Sequence, residues 1–151
     1  MPMEDGARLA AIVQGIWARD PAAWTDNPAH IKSIPQWLGW LDVARTMRRD
    51  AVEELAAFAD EVRRDGFTHA LLLGMGGSSL APEVLRLTFG VRPGFLDLAV
   101  LDSTDPATVL DFRRRLPADK TLYIVSTKSG TTTETLSFQR SFYEATRQAV
   151  G

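Results

Sequence analysis

Gly66-Phe-Thr-His-Ala-Leu-Leu-Leu-Gly74-Met-Gly76-Gly77-Ser78-Ser79-Leu80-Ala-Pro-Glu-Val-Leu-Arg86 decides the fold. From His69 to Gly74 the run is continuously apolar, as a strand buried on both faces must be. Gly74, Gly76 and Gly77 then let the backbone turn sharply and approach a ligand closely. Ser78 adds a hydroxyl and is placed to help cap the helix expected over Leu80–Phe89, which Gly90 ends. The same strand-loop-helix order recurs twice. Leu96–Leu101 reads as a second strand, followed by a helix that Asp105 can cap, that Pro106 can open and that Pro117 stops. Thr121–Val125 reads as a third strand, and a last helix is expected from near Thr131 toward Ala149. Successive units of this kind imply an α/β fold, a three-layer αβα parallel sheet of the doubly wound, flavodoxin-like type with right-handed crossovers. Doubly wound sheets usually have five or more strands, so three suggest the first part of something longer.

Ligands of such sheets sit beyond the carboxyl ends of the strands. The loop there after the third strand is Ser126-Thr127-Lys128-Ser129-Gly130-Thr131-Thr132-Thr133-Glu134-Thr135. Hydroxyls, backbone N–H groups, a helix N-terminus and a lysine are what a phosphate dianion needs, because bonds to a charged acceptor are the strong ones. Two such loops in parallel units would converge on one phosphorylated small molecule. Thr131 and Glu134 fit a capping box, which gives Glu134 a role in its own helix end rather than in chemistry. Asp102-Ser103-Thr104-Asp105-Pro106, the middle loop, suits helix capping. A dinucleotide reading is the competitor: Gly74 to Ser79 approximates G-x-G-x-x-G, with Asp102 where a ribose-binding acid would stand. Ser79 replaces its third glycine, and that reading leaves the hydroxyl-rich loop unused.

Upstream, residues 6–19 read as a helix with Leu9, Ile12, Val13 and Ile16 on one face, and Asp20-Pro21 stops it. Residues 20–36 read as an irregular connection, with Trp24, Trp37 and Trp40 expected to pin it to the body. A long helix is expected over 41–65, its stripe formed by Leu41, Ala44, Met47, Ala51, Leu55, Phe58 and Val62, with Arg63, Arg64 and Gly66 at its end. The division expected is 1–66, an N-terminal helical segment, and 67–151, the sheet portion. With 45% apolar and 24% charged residues the chain can build a core, and its net charge of −2 gives no footprint for nucleic acid or an anionic membrane. Arg113-Arg114-Arg115 reads as a solvated helix face. No cysteine is present, which fits a reducing cytoplasm, and two histidines are few for a metal site. His69 opens its strand at the end away from the loops.

Thr127-Lys128-Ser129-Gly130-Thr131-Thr132-Thr133-Glu134 resembles the phosphate-binding signature of sugar isomerase (SIS) domains, Ser-x-Ser-Gly-x-Thr-x-Glu, with Thr127 in place of the first serine. Lys128 in the second position and the glycine loop resemble the glucose-6-phosphate isomerase family. The stretch Gly66–Arg86, with Leu38-Gly-Trp-Leu-Asp-Val43 upstream, resembles in particular the isomerase part of bifunctional transaldolase/glucose-6-phosphate isomerases. The resemblance spans about residues 15–150. It implies an SIS-type sheet, phosphosugar contacts at Gly77, Ser78, Thr127, Lys128, Ser129 and Thr132, and no cofactor. It also implies interconversion of glucose 6-phosphate and fructose 6-phosphate in glycolysis and gluconeogenesis, and a cytoplasmic homodimer as the full-length enzyme. The family's catalytic glutamate, histidine, lysine and arginine lie downstream of the phosphate loop, so the resemblance assigns no catalytic residue here. Two other readings remain: a non-catalytic SIS phosphosugar-binding module, and the dinucleotide-binding enzyme.

Overall fold

A computed structural model describes residues 3–47 and 49–151. The chain divides into two compact units, Met1–Leu55 and Ala56–Gly151. The first holds helix α1 (Met3–Trp17), α2 (Pro28–Ile31) and α3 (Val43–Thr46), joined by short 3-10 turns, and the first part of α4 (Arg49–Arg64). Its caps are local: the Asp20 and Asn27 side chains accept from Ala22 N–H and Ala29 N–H, each just ahead of a proline that opens a turn. An Arg19–Asp42 ion pair and the Arg45 guanidinium over Trp17 tie the connection together.

Two expectations for this unit need correction. Trp24, Trp37 and Trp40 are exposed rather than packed away, and Leu38 and Leu41 are the buried residues of the connection. The helix expected over 41–65 is not one piece. The Thr46 hydroxyl donates back to the Asp42 carbonyl, a bond that favours bending, and Met47 leaves helical geometry at ψ 81°. Position 48 and the side chain of Ala44 lie outside the described residues. Met47, Leu55 and Phe58 of the expected stripe are exposed, while Val62 is buried. The end of α4 follows its sequence: Gly66 turns at φ +84°, and Gly66 and Phe67 N–H bond back to the Arg63 and Val62 carbonyls.

The second unit is the parallel sheet. It runs β1 (His69–Gly74), α5 (Gly77–Phe89), β2 (Asp97–Leu101), α6 (Pro106–Arg115), β3 (Thr121–Ser126) and α7 (Thr133–Val150). The strand order is β2-β1-β3, with His69 level with Asp97 and Thr121. β1 is central, which explains its unbroken apolar run: Ala70 to Gly74 are all buried. Leu71 and Leu73 point to one face and join Leu101, Phe138 and Phe142 in the core, with Val109, Phe112 and Leu116 of α6 and its exit packed alongside. Ala70 and Leu72 are buried on the other face, and α5 packs on β1 and β2. The fold is therefore the expected α/β arrangement, a parallel sheet flanked by helices. Arg113, Arg114 and Arg115 form the exposed end of α6, as the run predicts; Arg115 pairs with Asp111 at 2.8 Å and lies over Phe112.

Candidate functional site

Both candidate loops leave the carboxyl ends of neighbouring strands, because Gly74 of β1 pairs with Ser126 of β3. They start side by side. A Cβ on Gly74 would stand 3.1 Å from the Ser126 carbonyl oxygen and 3.3 Å from the Ser78 Cβ. Glycine here lets the end of one strand approach the other, and brings the first turn of α5 close above both. The Gly74→Ala variant is expected to push these groups apart by a few tenths of an ångström. It should weaken anion binding more than it lowers the melting temperature, as comparison of calorimetric titration with thermal unfolding would show.

The glycine loop turns at Gly76, φ +55° and ψ −128°, a conformation that side chains resist. Helix α5 then begins at Gly77, three residues before the expected start. Ser78 therefore sits inside the first turn and caps nothing; its N–H bonds to the Met75 carbonyl. Its hydroxyl makes no hydrogen bond among the described residues. Ser79 is buried and donates from its hydroxyl to the Gly76 carbonyl at 3.0 Å, bracing the turn from below. A hydroxymethyl side chain thus fills the place where the dinucleotide fingerprint requires bare backbone.

The hydroxyl loop is braced in the same manner. Thr127 and Thr132 share a hydroxyl–hydroxyl bond of 2.9 Å across the loop. The Ser129 hydroxyl accepts from both the N–H and the hydroxyl of Thr131, and Gly130 turns at φ +72°. The capping box does not form. Because the Thr131 hydroxyl is engaged with Ser129, the helix starts later: Thr132 is the N-cap, with no side-chain capping bond, and Glu134 is the second helical residue. Glu134 is half-buried and bonds no helix end. The first intrahelical bond of α7 runs from Leu136 N–H to the Thr132 carbonyl, so the N–H groups before it face outward at the positive end of an 18-residue helix.

Between the two loops lies a cavity of about 400 Å³ lined by Met75, Gly77, Ser78, Lys128, Ser129 and Thr132. Five of the six residues singled out from sequence meet there. Thr127 does not line the cavity, and its hydroxyl bonds to that of Thr132, which does. Met75 is the wall residue that sequence reasoning misses; it is half-buried against the core, and nothing in a methionine between glycines marks it. The cavity offers hydroxyls, backbone N–H groups and an ammonium, and no carboxylate lines it. That chemistry suits an oxyanion. A wider hollow of about 620 Å³ at the end of α4 is lined by Ala57, Asp60, Arg63, Arg64 and Gly94. Arg63 there is already committed: it donates to the Gly94 carbonyl and to Asp60, and stacks on Phe95 at 4.2 Å.

The middle loop is a cap. Asp105 accepts from the Thr108 N–H at 2.8 Å and its hydroxyl at 3.0 Å, and these bonds hold its carboxyl below the usual carboxylate range. His69 sits at the far end of β1, bonded to the Thr68 hydroxyl. Among the described residues no group of three or more His, Cys, Asp or Glu could hold a metal, and no helix is long and apolar enough to cross a membrane.

Known proteins are similar to this chain over much of its length. It is 33% identical over 116 residues to a glucose-6-phosphate isomerase of Chlamydia abortus, covering 76% of this chain and 22% of that one. It is 39% identical over 95 residues to the glucose-6-phosphate isomerase of Albidiferax ferrireducens, covering 60% and 18%. A hypothetical protein of Thermus thermophilus, known from its crystal structure, superposes with a TM-score of 0.62 at 26% identity, over 98% of this chain and 32% of that one. The chain thus spans about a fifth of the length of the two named isomerases. The model of the phosphoglucose isomerase family matches residues 47–151, a stretch that contains the whole sheet and both loops, and the chain belongs to that family.

Proposed function

We propose that this chain carries the phosphate anchor of a glucose-6-phosphate isomerase, the enzyme that interconverts glucose 6-phosphate and fructose 6-phosphate in glycolysis and gluconeogenesis. In this reading Gly77 and Ser78 grip the phosphate from one side, and Lys128, Ser129 and Thr132 from the other, with Thr127 holding Thr132. The observation that carries it is the single cavity into which both loops open. The anchor fixes the sugar carbons. Proton transfer between C1 and C2 then needs a base within hydrogen-bond reach of the carbon-bound proton. No carboxylate or imidazole lines this cavity. The chain by itself is therefore expected to bind without turnover. A cytoplasmic setting, where phosphorylated sugars are retained, and a homodimeric full-length enzyme belong to the same proposal.

Calorimetric titration tests it. Fructose 6-phosphate should bind and raise the melting temperature, whereas fructose and NAD should do neither. An equal response to fructose and its phosphate, or none to either, would overturn the reading. The absence of a lining base also favours a second reading, a phosphosugar-binding module that never isomerises. The two part when the remaining sequence of a full-length relative is fused to this chain: the isomerase reading expects turnover, the module reading expects none.

A further inference from the structure

Gly74, Gly76 and Gly77 stand close together, and the fold accounts for only the first two. Gly74 is a glycine because a Cβ there would press on the Ser126 carbonyl oxygen and on Ser78. Gly76 is one because its φ of +55° lies in the region that side chains resist. Neither reason holds at Gly77. Its φ is outside that region, and a Cβ built on it meets no atom within 4 Å. Gly77 is also the first residue of α5, and in a helix glycine is a poorer residue than alanine. The packing and backbone of the chain would therefore accept a side chain at 77, and the helix would favour one.

What Gly77 does border is the cavity between the two loops. The N–H groups of Ser78, Ser79 and Leu80 bond back to the carbonyls of Met75 and Gly76. That of Gly77 makes no hydrogen bond among the described residues. A backbone donor with no side chain beside it can be approached to contact by an acceptor. Ser78, Ser129 and Thr132 line the same space.

We propose that Gly77 decides what the cavity admits: the phosphate head of the ligand sits in the space that a side chain at 77 would take, against the bare N–H. This rests on the phosphate-anchor reading and goes further, because it places the head rather than the sugar at the first residue of α5. A tetrahedral phosphate needs donors on several sides at hydrogen-bond distance. The Gly77 amide offers one from the α5 side, and Ser129 and Thr132 offer theirs from the hydroxyl loop. A methyl at 77 would hold the oxygens off that amide and crowd the ion against the opposite wall. In the chain without ligand the same methyl strikes nothing. Glycine is thus kept at 77 for the ligand, against the preference of the helix.

Titration calorimetry and thermal unfolding of the full chain test this, with fructose 6-phosphate and inorganic phosphate as probes. Gly77→Ala should raise both dissociation constants by about tenfold or more, the effect of one intruding methyl. Its melting temperature should hold or rise, since alanine favours the helix and restricts the unfolded chain. Gly77→Ser should bind as poorly as Gly77→Ala, because bulk and not a lost donor is the obstacle. Equal binding by the unsubstituted chain and Gly77→Ala would overturn this proposal and leave the phosphate anchor standing. So would a Gly77→Ala that melts early or fails to fold, which would make Gly77 a residue of the fold. A Gly77→Ser that binds like the unsubstituted chain would overturn it too, as would a loss confined to fructose 6-phosphate, which would place the sugar there. An unsubstituted chain that binds neither probe would overturn the phosphate anchor and this proposal together.

Discussion

Replacing Phe142 by alanine is expected to cost about 3–5 kcal/mol of folding stability, the usual penalty for emptying a large aromatic site in a packed core. Phe142 is 1% exposed. It lies in the cluster of Leu71, Leu73, Leu101 and Phe138 that joins α7 to the sheet, and its ring stands 5.4 Å from that of Tyr123, tilted by 36°. Its removal strips α7 from β1 and β3 together, and with it the helix end that bounds the cavity. Domains hold only about 5–15 kcal/mol in total, so the variant should be largely unfolded at physiological temperature. Urea denaturation followed by circular dichroism measures the loss. Phe89→Ala is the control: Phe89 is 78% exposed, and its loss should register below about 0.5 kcal/mol. Equal destabilisation by the two variants would mean that the core does not lie where α7 meets the sheet.

The second large effect concerns binding. Thr132→Val keeps the shape of the side chain and removes its hydroxyl. That hydroxyl lines the cavity and also holds Thr127 at 2.9 Å. Fructose 6-phosphate affinity should fall by about 1–3 kcal/mol, since a phosphate oxygen loses a partner in a site built to supply one. That corresponds to roughly a fivefold to 150-fold rise in dissociation constant. The melting temperature of the free chain should move little by comparison. Titration calorimetry on both proteins decides the matter. Unchanged affinity in a folded variant would remove the hydroxyl loop from the site.

Much of this is legible in the sequence because the deciding signals are chemical and local. A strand covered on both faces cannot carry polar residues, and Ala70 to Leu73 carry none, so β1 declares itself as central. Glycines and hydroxyls clustered where strands end mark the two loops that line one cavity. Boundaries are less legible, because caps are choices between nearly equivalent hydroxyls. Thr131 and Thr132 are both competent N-caps, and what chooses between them is Ser129, whose hydroxyl engages Thr131 and leaves Thr132 to open the helix. The same logic moves the start of α5 to Gly77, since Gly76 can turn without any side-chain cap. The first unit is least legible. Large aromatic residues suggest burial, but Trp24, Trp37 and Trp40 lie exposed, and the break at Met47 has neither glycine nor proline to announce it.

The near-contact at Gly74 has a consequence for how an anion is met. The two walls of the cavity are extensions of hydrogen-bonded strands, level with each other at Gly74 and Ser126, and each wall is cross-linked by its own hydroxyls. Their separation is set when the sheet forms. Under the proposed function, a phosphate arriving later would find its donors already in place and would have little chain to immobilise, so more of the attraction between charge and dipole would survive as affinity. A single missing methyl, at the junction of two strands, is what makes the socket rigid in advance.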